Sequence, residues 1–255
     1  MTTKPDGIAP HPRDAWITVY GRKPVMEVLE DPQCRVARVF IAKGTGGPVM
    51  KRIRAAAKAA GVEVKMESRE RVSRISRHAK QDQGVAADVE APRMMALSRW
   101  LEHAPQSARL LALDHVTTPG NVGMILRTAT VLGLDGVIVP RRGVPEIGPL
   151  VIKASAGVAF RAAILRCDRI DDGLSEAKMA GFCVYGMADQ GARGLADTAP
   201  RERSVFVLGN ESDGVGAAVK PLVDEWVRIP MAQTGDSLNV AAAGAIVAYH
   251  LAART

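Results

Sequence analysis

The fold is decided by the stretch Val227-Arg-Ile-Pro-Met-Ala-Gln-Thr-Gly-Asp-Ser-Leu-Asn-Val-Ala-Ala-Ala-Gly-Ala-Ile-Val-Ala-Tyr-His-Leu251. It begins as a short apolar strand and stops at Pro230, which has no N–H to continue a ladder. After a loop, a helix is predicted from about Ser237 to Ala253. This helix carries no charged face, which is typical of a buried helix. The stretch therefore predicts a strand, a loop and a buried helix whose small residues let another backbone approach.

Two polar side chains, Ser237 and Asn239, stand where this helix leaves the loop. Ser237 alone is explained as an N-cap that satisfies free backbone N–H groups. Asn239 lies inside the first predicted turn, where capping explains it less well. The pair is therefore a candidate site, to be judged together with earlier loops of the chain.

The part of the chain before this stretch alternates between apolar strands and helices. Arg109–Asp114 has the composition of a buried strand, and a turn at residues 118–120 precedes a helix over Asn121–Leu132. Further elements are predicted as strands at Gly136–Val139, Val158–Leu165, Phe182–Gly186 and Ser204–Leu208, and as helices near Leu150 and at Ile170–Ala180. This alternation predicts a mostly parallel sheet with helices on both faces.

Ligands of such folds collect at the carboxyl ends of the strands. Three glycine-containing loops follow strands here: one from Asp114 to Asn121, one from Leu208 to Gly216, and one from Ile229 to Ser237. Glycine lets the backbone approach a ligand closely. Taken alone, Asn121 is explained as a residue that caps a helix. Glu211 and Asp213 are explained by the preference for acidic residues at the start of a helix. These ordinary roles explain poorly why polar residues occur in all three loops together.

Arg127 is the most informative single residue. Its helix neighbours three and four positions away are not acidic, and the residues around it in sequence predict a buried position in the core. A guanidinium in such a place must meet a carboxylate or a phosphate from elsewhere. Glu211, flanked by glycine-containing sequence, is the candidate partner.

The N-terminal part reads as a separate small domain. After a polar tail (1–14), strands and helices alternate over 15–90, a connector with a helix at Met94–His103 spans 91–107, and the large domain occupies 108–255. The first 105 residues hold 19 Lys and Arg against 12 Asp and Glu, whereas the remainder holds 15 of each sign. This asymmetry favours an acidic polymer as partner, nucleic acid above all, although a merely well-solvated basic domain stays open.

Two sets of basic residues recur at helical spacing in this domain and are the candidate RNA contacts. They are Lys51, Arg54 and Lys58, and Arg71, Arg74 and Arg77. Aromatic residues are scarce here, so recognition of folded RNA by shape and phosphates is favoured over stacking on single-stranded bases.

Composition also excludes several classes of protein. The first residues do not resemble a secretory signal, and no uncharged apolar run is long enough to cross a bilayer. Three cysteines and five histidines show no spacing typical of metal ligands. We therefore expect a soluble, cytoplasmic protein without a metal site. A nicotinamide-binding protein is disfavoured because no Gly-x-Gly-x-x-Gly follows the first strand of the large domain.

The sequence resembles the SpoU (TrmH) branch of the SPOUT RNA methyltransferases. Three motifs carry the resemblance, in the order Asn121-Val-Gly-Met-Ile-Leu-Arg127-Thr-Ala, Leu208-Gly-Asn-Glu211-Ser-Asp-Gly, and Ile229-Pro-Met231 with Ser237-Leu-Asn239-Val. They span about Leu110 to Leu251. A weaker match, carried by Gly21-Arg-Lys-Pro-Val and Gln83-Gly-Val-Ala-Ala87, relates the N-terminal domain to the RNA-binding domain that often precedes this catalytic domain. Thr118 departs from the family pattern, where an acidic residue often precedes the proline.

The resemblance implies an α/β fold with a trefoil-knotted parallel sheet, although knots are rare among folds. It implies a homodimer with the last helix in the interface, and S-adenosylmethionine as methyl donor. The reaction would be methyl transfer to a ribose 2′-hydroxyl of RNA, with ribosomal RNA preferred and transfer RNA second. The cofactor would be held, largely through backbone, by Leu208, Gly209, Asn210, Ile229, Met231 and Leu238.

The resemblance also assigns catalytic roles. Arg127 would activate the hydroxyl, reaching across the dimer. Because arginine keeps its proton at neutral pH, we favour binding of a phosphate and stabilisation of the developing alkoxide. Glu211 would hold Arg127, while Asn121, Ser237 and Asn239 would orient the hydroxyl and the cofactor loop. Two alternatives stay open: a SPOUT enzyme that methylates a base, and a non-catalytic RNA-binding assembly factor.

Overall fold

The computed structural model describes residues 16–210, 212–232 and 237–253, so the predicted tail (1–14) lies outside the described residues. The N-terminal part forms a four-stranded mixed sheet in the order β1-β4-β2-β3, in which β4 runs antiparallel to both neighbours and β3 runs parallel to β2. Its elements are β1 (Trp16–Tyr20), α1 (Arg22–Glu30), β2 (Val36–Ala42), α2 (Pro48–Ala59), β3 (Glu63–Glu67), α3 (Arg69–Ser76) and β4 (Val85–Glu90).

The helices of this domain lie on opposite faces of its sheet. Val39 and Ile41 of β2 belong to the core formed with α1 and α2. Phe40 and Ala42 pack instead with Val72 of α3. Because successive strand residues point to opposite faces, α2 lies on one face and α3 on the other. The two predicted basic helices therefore do not share one surface.

The large domain is built on an eight-stranded sheet in which every pairing is parallel, in the order β10-β12-β9-β11-β6-β7-β8-β5. Its strands are β5 (Met94–Ala96), β6 (Ala108–Leu113), β7 (Gly136–Pro140), β8 (Ile164–Cys167), β9 (Cys183–Met187), β10 (Arg193–Gly194), β11 (Arg203–Leu208) and β12 (Glu225–Arg228). Its helices are α4 (Leu97–Leu101), α5 (Pro119–Val131), α6 (Pro149–Ala154), α7 (Ile170–Met179) and α8 (Val240–Ala252).

Helices cover both faces of this sheet. Leu111 and Phe206 share one core with residues of α5, α6 and α8. Leu110 and Val205, their neighbours along the same strands, share the other core with α4 and α7. The predicted α/β class with a parallel sheet is confirmed. The knot implied by the resemblance stays a prediction.

The connector predicted at 91–107 contributes to the large sheet. The helix predicted over Met94–His103 is wrong at its start, because Met94–Ala96 form β5 and pair in parallel with β8. Only Leu97–Leu101 are helical. Pairing with an open sheet edge satisfies the backbone groups of β5 and outweighs the local helical pattern.

Three predicted boundaries also differ from the structure. Residues Val158–Phe160 form a 3₁₀ turn after Gly157, whose φ of 79° is left-handed, so the predicted strand begins only at β8. The α5 helix begins at Pro119, two residues before the predicted start, since proline is well suited to the first helical position. The final helix α8 begins at Val240 rather than at Ser237, because Asn239 caps it.

No helix in the described part of the chain is long and apolar enough to span a membrane. Within the same residues, no group of three or more His, Cys, Asp or Glu side chains is arranged to hold a metal ion.

Candidate functional site

The three glycine-containing loops follow β6, β11 and β12 of the large sheet. β11 pairs with β6, and β9 separates β11 from β12. Since all these strands are parallel, their carboxyl ends meet at the same edge, where ligands of such sheets bind.

A cavity of about 340 Å³ opens between the loops after β11 and β12 and the start of α8. The six residues predicted to hold the cofactor all line it, and Ser237 does so as well. The six are Leu208, Gly209, Asn210, Ile229, Met231 and Leu238. The sequence motifs thus converge on a single cavity, and cofactor binding by these residues stays a prediction.

The loop after β11 is folded back on itself. The backbones of Asn210 and Gly214 exchange hydrogen bonds of 3.0 and 2.9 Å. A Cβ atom on Gly209 would lie 2.2 Å from the carbonyl carbon of Gly214, so no larger residue fits there. The Asn210 side chain accepts a hydrogen bond from the Ser212 N–H at 2.8 Å and donates one to the His115 carbonyl at 3.0 Å. Asn210 therefore shapes the cavity wall by joining two loops.

Asp114 and His115, at the carboxyl end of β6, are site residues that sequence reasoning missed. Asp114 is fully buried, and its carboxylate lies 2.6 Å from His115 Nδ1 and accepts the Gly216 N–H at 2.7 Å. His115 adopts a left-handed backbone conformation with φ of 55°, which is uncommon outside glycine. The available signal was an acidic residue at the end of an apolar strand, followed directly by a histidine. Together these residues join the loop after β6 to the loop after β11.

Asn121 and Asn239, both predicted as catalytic, are in contact. The Asn239 side-chain N–H donates to Asn121 Oδ1 at 3.2 Å. Asn239 Oδ1 accepts the N–H groups of Ala241 at 2.8 Å and Ala242 at 3.4 Å, so Asn239 is the N-cap of α8. The expectation that capping explains Asn239 poorly is wrong, since asparagine is among the best N-caps. The same amide fixes the helix start and binds the first motif.

Arg127 lies on the exposed face of α5, so the reading of its surroundings as core is wrong. It is six residues beyond Asn121, which is about 9 Å along the helix and roughly 120° around it. Met124 and Val131 are exposed on the same face as Arg127. Within one protomer, Arg127 therefore points away from the Asn121–Asn239 contact.

Glu211, the predicted partner of Arg127, lies outside the described residues. Among the residues that the structure describes, Arg127 has no hydrogen bond or ion pair within the protomer. The proposed pairing of Glu211 with Arg127 stays a prediction.

All six predicted RNA contacts of the N-terminal domain are exposed. Those of α2 and those of α3 face opposite sides of the small sheet, as described above. Arg77, which follows α3, differs from the others because its guanidinium lies 2.6 Å from Glu146 of the large domain. RNA binding by the six residues stays a prediction.

Two cysteine thiols, those of Cys34 and Cys167, have a raised pKa. Burial, reinforced by the neighbouring Asp31 carboxylate, raises the pKa of Cys34 to about 12. Burial likewise raises the pKa of Cys167 to about 12. Because the thiolate is the reactive form, these side chains are poor nucleophiles.

Comparison with known proteins gives two matching sequence families. The model described as SpoU rRNA Methylase family matches residues 108–249, and the model described as RNA 2′-O ribose methyltransferase substrate binding matches residues 18–95. Among similar proteins, the 23S rRNA (guanosine-2′-O-)-methyltransferase RlmB of Xanthomonas axonopodis pv. citri is 29% identical over 240 residues, covering 93% of this chain and 95% of that protein. The RlmB of Burkholderia sp is 36% identical over 171 residues, covering 67% and 69% of the two chains.

Solved structures agree with these sequence matches. The AdoMet-bound rRNA methyltransferase from Sinorhizobium meliloti is 26% identical, with a TM-score of 0.65 over 94% of this chain and 87% of that chain. The SpoU methyltransferase AviRb from Streptomyces viridochromogenes, solved with AdoMet, is 23% identical and shares the fold, with a TM-score of 0.63 over 95% and 91% of the two chains.

Proposed function

This chain belongs to the SpoU rRNA methylase family, and we propose that it methylates the 2′-hydroxyl of a guanosine ribose in 23S ribosomal RNA. As a member of that family it is an RNA 2′-O-ribose methyltransferase that uses S-adenosylmethionine. The choice of 23S RNA and guanosine follows what the named relatives act on, and transfer RNA is the second candidate. The proposal includes a cytoplasmic site of action, where ribosomal RNA is made and modified.

The residues around the cavity suit S-adenosylmethionine. Its volume of about 340 Å³ lies in the range of small-molecule sites. At Gly209 the wall of the cavity is formed by backbone, because any Cβ atom there would clash. Backbone N–H and C=O groups could therefore contact a purine. Asp189 and Lys220 also line the cavity, and their opposite charges suit the amino and carboxylate groups of a methionine moiety.

When bound, the cofactor supplies an electrophilic methyl group on its sulfonium. The protein must bring a ribose hydroxyl to this cavity and help remove its proton, because a neutral hydroxyl is a poor nucleophile. Ser237 lines the cavity and Asn121 lies beside it in contact with Asn239. We assign these three side chains to orienting the hydroxyl and the loop that leads into α8.

We assign Arg127 to binding the phosphate next to the target ribose and to stabilising the alkoxide as its charge develops. Its exposed position supports a role in the site of a second protomer. Met124, Val131, Ile246 and Tyr249 are exposed apolar residues on α5 and α8, the two helices that pack together beside it. A homodimer that buries these residues would bring Arg127 to the partner's cavity, where Glu211 is its proposed ion-pair partner.

One observation carries this proposal: three motifs far apart in sequence line or border one cavity at the carboxyl edge of a parallel sheet. The test is transfer of labelled methyl groups from S-adenosylmethionine to unmodified 23S ribosomal RNA and to transfer RNA, followed by mapping of the product. We expect label on the 2′-oxygen of one guanosine of the 23S RNA. Label on a base nitrogen would replace the proposal with base methylation. Failure to bind S-adenosylmethionine in calorimetry would instead support a non-catalytic assembly factor.

A further inference from the structure

A second cavity, of about 400 Å³, lies between the two domains, and we shall call it the interdomain cleft. One wall is β1, the edge strand of the small sheet, together with the end of α3. The other wall is the segment between β7 and α6, together with β8. The cleft has the size of a small-molecule site. We propose that it binds an unpaired nucleotide of the RNA substrate, close to the nucleotide that is methylated; this inference rests on the proposed RNA substrate.

The charge of the cleft suits a phosphodiester. Three arginines line it, Arg77 from the small domain and Arg141 and Arg166 from the large one, against a single carboxylate, that of Glu146, among the described lining residues. Glu146 is shared between two of them, at 2.6 Å from Arg77 Nη1 and 3.7 Å from Arg166 Nη2. Guanidinium groups recognise phosphate oxygens through paired N–H donors. A phosphate in the cleft would therefore meet guanidinium groups supplied by both domains.

The cleft also contains an aromatic surface. The rings of Tyr20 and His78 are stacked, with centroids 4.7 Å apart and planes 20° apart. Trp16 lines the same cleft from the start of β1. His78 is 58 residues beyond Tyr20 in the sequence. The local scarcity of aromatic residues that argued against base stacking is therefore misleading. His78 is exposed and offers a ring face on which an RNA base can stack.

A series of contacts connects the cleft with the proposed methyl-transfer site. Pro119 lines it and lies two residues before Asn121. From Arg141 the chain passes to Gly143, where a Cβ atom would be 3.0 Å from the His115 ring. The backbone carbonyl of His115 accepts a hydrogen bond from the side chain of Asn210, and Asn210 lines the cofactor cavity. Three interstrand spacings of about 4.8 Å separate β8, which lines the cleft, from β11, which leads into the cofactor cavity, so these two strands are roughly 14 Å apart.

This arrangement distinguishes the two basic helices. Tyr20 and Ile75 pack on the α3 face of the small sheet, and the cleft opens on that face. Lys51, Arg54 and Lys58 belong to α2, on the opposite face. A short RNA strand in the cleft therefore contacts the α3 side and not the α2 side. Substitutions on α2 provide a matched control of equal charge change.

The first test is ultraviolet cross-linking of a short oligouridylate to the full chain with S-adenosylmethionine present, followed by peptide mapping. We expect cross-links at Trp16, Tyr20 or His78. Cross-links confined to the α2 helix, or a complete absence of cross-links, would overturn the inference. Cross-linking of the oligouridylate measures binding to the cleft and needs no methyl transfer. The result is therefore independent of the proposed function.

The second test compares His78→Ala and Arg141→Gln with the control Arg52→Gln in methyl transfer to ribosomal RNA, because Arg52 is an exposed residue of α2 outside the predicted RNA contacts. We expect each cleft variant to raise KM for RNA roughly tenfold, the scale of one stacked base or one phosphate contact. Calorimetric affinity for S-adenosylmethionine and kcat at saturating RNA stay unchanged, which shows that the variants fold. Arg52→Gln leaves the affinity for oligouridylate unchanged.

Wild-type KM values in both cleft variants would overturn the inference while the proposed function stands. Absence of methyl transfer by the wild-type enzyme would instead refute the proposed function, and the cross-linking result would then decide the inference alone.

Discussion

Arg127 carries the only positive charge on the exposed face of α5 that includes Met124 and Val131. The proposed chemistry needs this charge because the reacting hydroxyl becomes an alkoxide. A donor placed at such a developing charge contributes about 10²–10³-fold to turnover. The side chain lies away from the cofactor cavity of its own protomer, so its loss should leave cofactor binding intact.

We therefore expect Arg127→Ala to lower kcat by at least about 10²-fold, with an unchanged Kd for S-adenosylmethionine. Single-turnover methyl transfer and calorimetry measure the two quantities. Arg127→Lys keeps the charge but loses the paired N–H donors, so it should restore only part of the rate. A fully active Arg127→Ala enzyme would refute the role of this residue.

Gly209 gives a second prediction at the scale of single residues. A Cβ atom at this position would lie 2.2–2.5 Å from backbone atoms of Gly214 and Val215, which cannot rotate away. Gly209→Ala should open the loop after β11 and weaken S-adenosylmethionine binding by more than about tenfold, a cost above 1.4 kcal/mol. Calorimetry measures this loss. Gly46→Ala is the control, because a Cβ there meets nothing within 4 Å; equal effects of both substitutions would contradict the argument.

At the scale of elements, an ion pair connects α7 to the segment before β12. Lys178 Nζ lies 2.5 Å from Asp224 Oδ1, and Asp224 Oδ2 accepts the Val184 N–H at 2.9 Å. Partial burial tends to raise the pKa of Asp224, but the Lys178 ammonium and the Val184 N–H outweigh it and hold the pKa below its ordinary value of 3.8. The folded protein therefore favours the ionised carboxylate more than the unfolded chain does.

This sign fixes the direction of the pH dependence. The stabilisation is fully present above pH 3.8, the ordinary pKa, and is lost as the pH falls through the lowered pKa of the folded state. Asp224→Asn should lower the free energy of unfolding by about 1 kcal/mol at neutral pH, since solvent screens this partly exposed pair. The difference from wild type should shrink in acid.

Urea unfolding at several pH values measures this difference. Glu27→Gln is the control because its pair with Lys23, at 3.9 Å, is widely exposed and should have little effect on stability. A difference between Asp224→Asn and wild type that grew in acid would contradict the assignment.

At the scale of the whole molecule, α5 and α8 leave an apolar surface uncovered in the single protomer. Val131 is 71% exposed and Tyr249 is 67% exposed, and Met124 and Ile246 lie beside them. The opposite face of α8 is tightly packed: a Cβ on Gly244 would lie 2.9 Å from Leu208 and 3.3 Å from Ile125. Exposed apolar surface of this kind marks an interface. A second copy of the chain is the proposed partner because Arg127 would then reach a cofactor cavity.

We expect Tyr249→Glu to convert the proposed dimer into monomers and to abolish methyl transfer, because a charge would be buried without a partner in the interface. Sedimentation measures the oligomeric state. Met179→Glu is the matched control, since Met179 is 82% exposed but lies on α7, across the sheet. A wild-type enzyme that sediments as a monomer while fully active would rule out the shared site.

Many residues that line the cofactor cavity were predictable because they belong to recognisable sequence motifs. Gly209, Ile229 and Leu238 belong to short stretches in which backbone conformation and side-chain type are specified locally. The parallel sheet was predictable for a related reason: long apolar strands alternating with helices bury both faces of a sheet. Asn121 and Asn239 were identified as partners in one site, although the helix-capping role of Asn239 was not expected.

The remaining features depend on contacts between distant parts of the chain. The sequence by itself determined the fold class and the excess of positive charge, because these follow from periodicity and composition. It also indicated the residues of the cavity, through the motifs that carry the resemblance to the family. Tertiary structure alone decided that Met94–Ala96 join the large sheet, that Arg127 faces outward, and that α2 and α3 lie on opposite faces. It also brought Tyr20, His78 and Arg141 together in one cleft. These outcomes depend on which surfaces pack together, and packing between distant segments is not encoded at any local spacing.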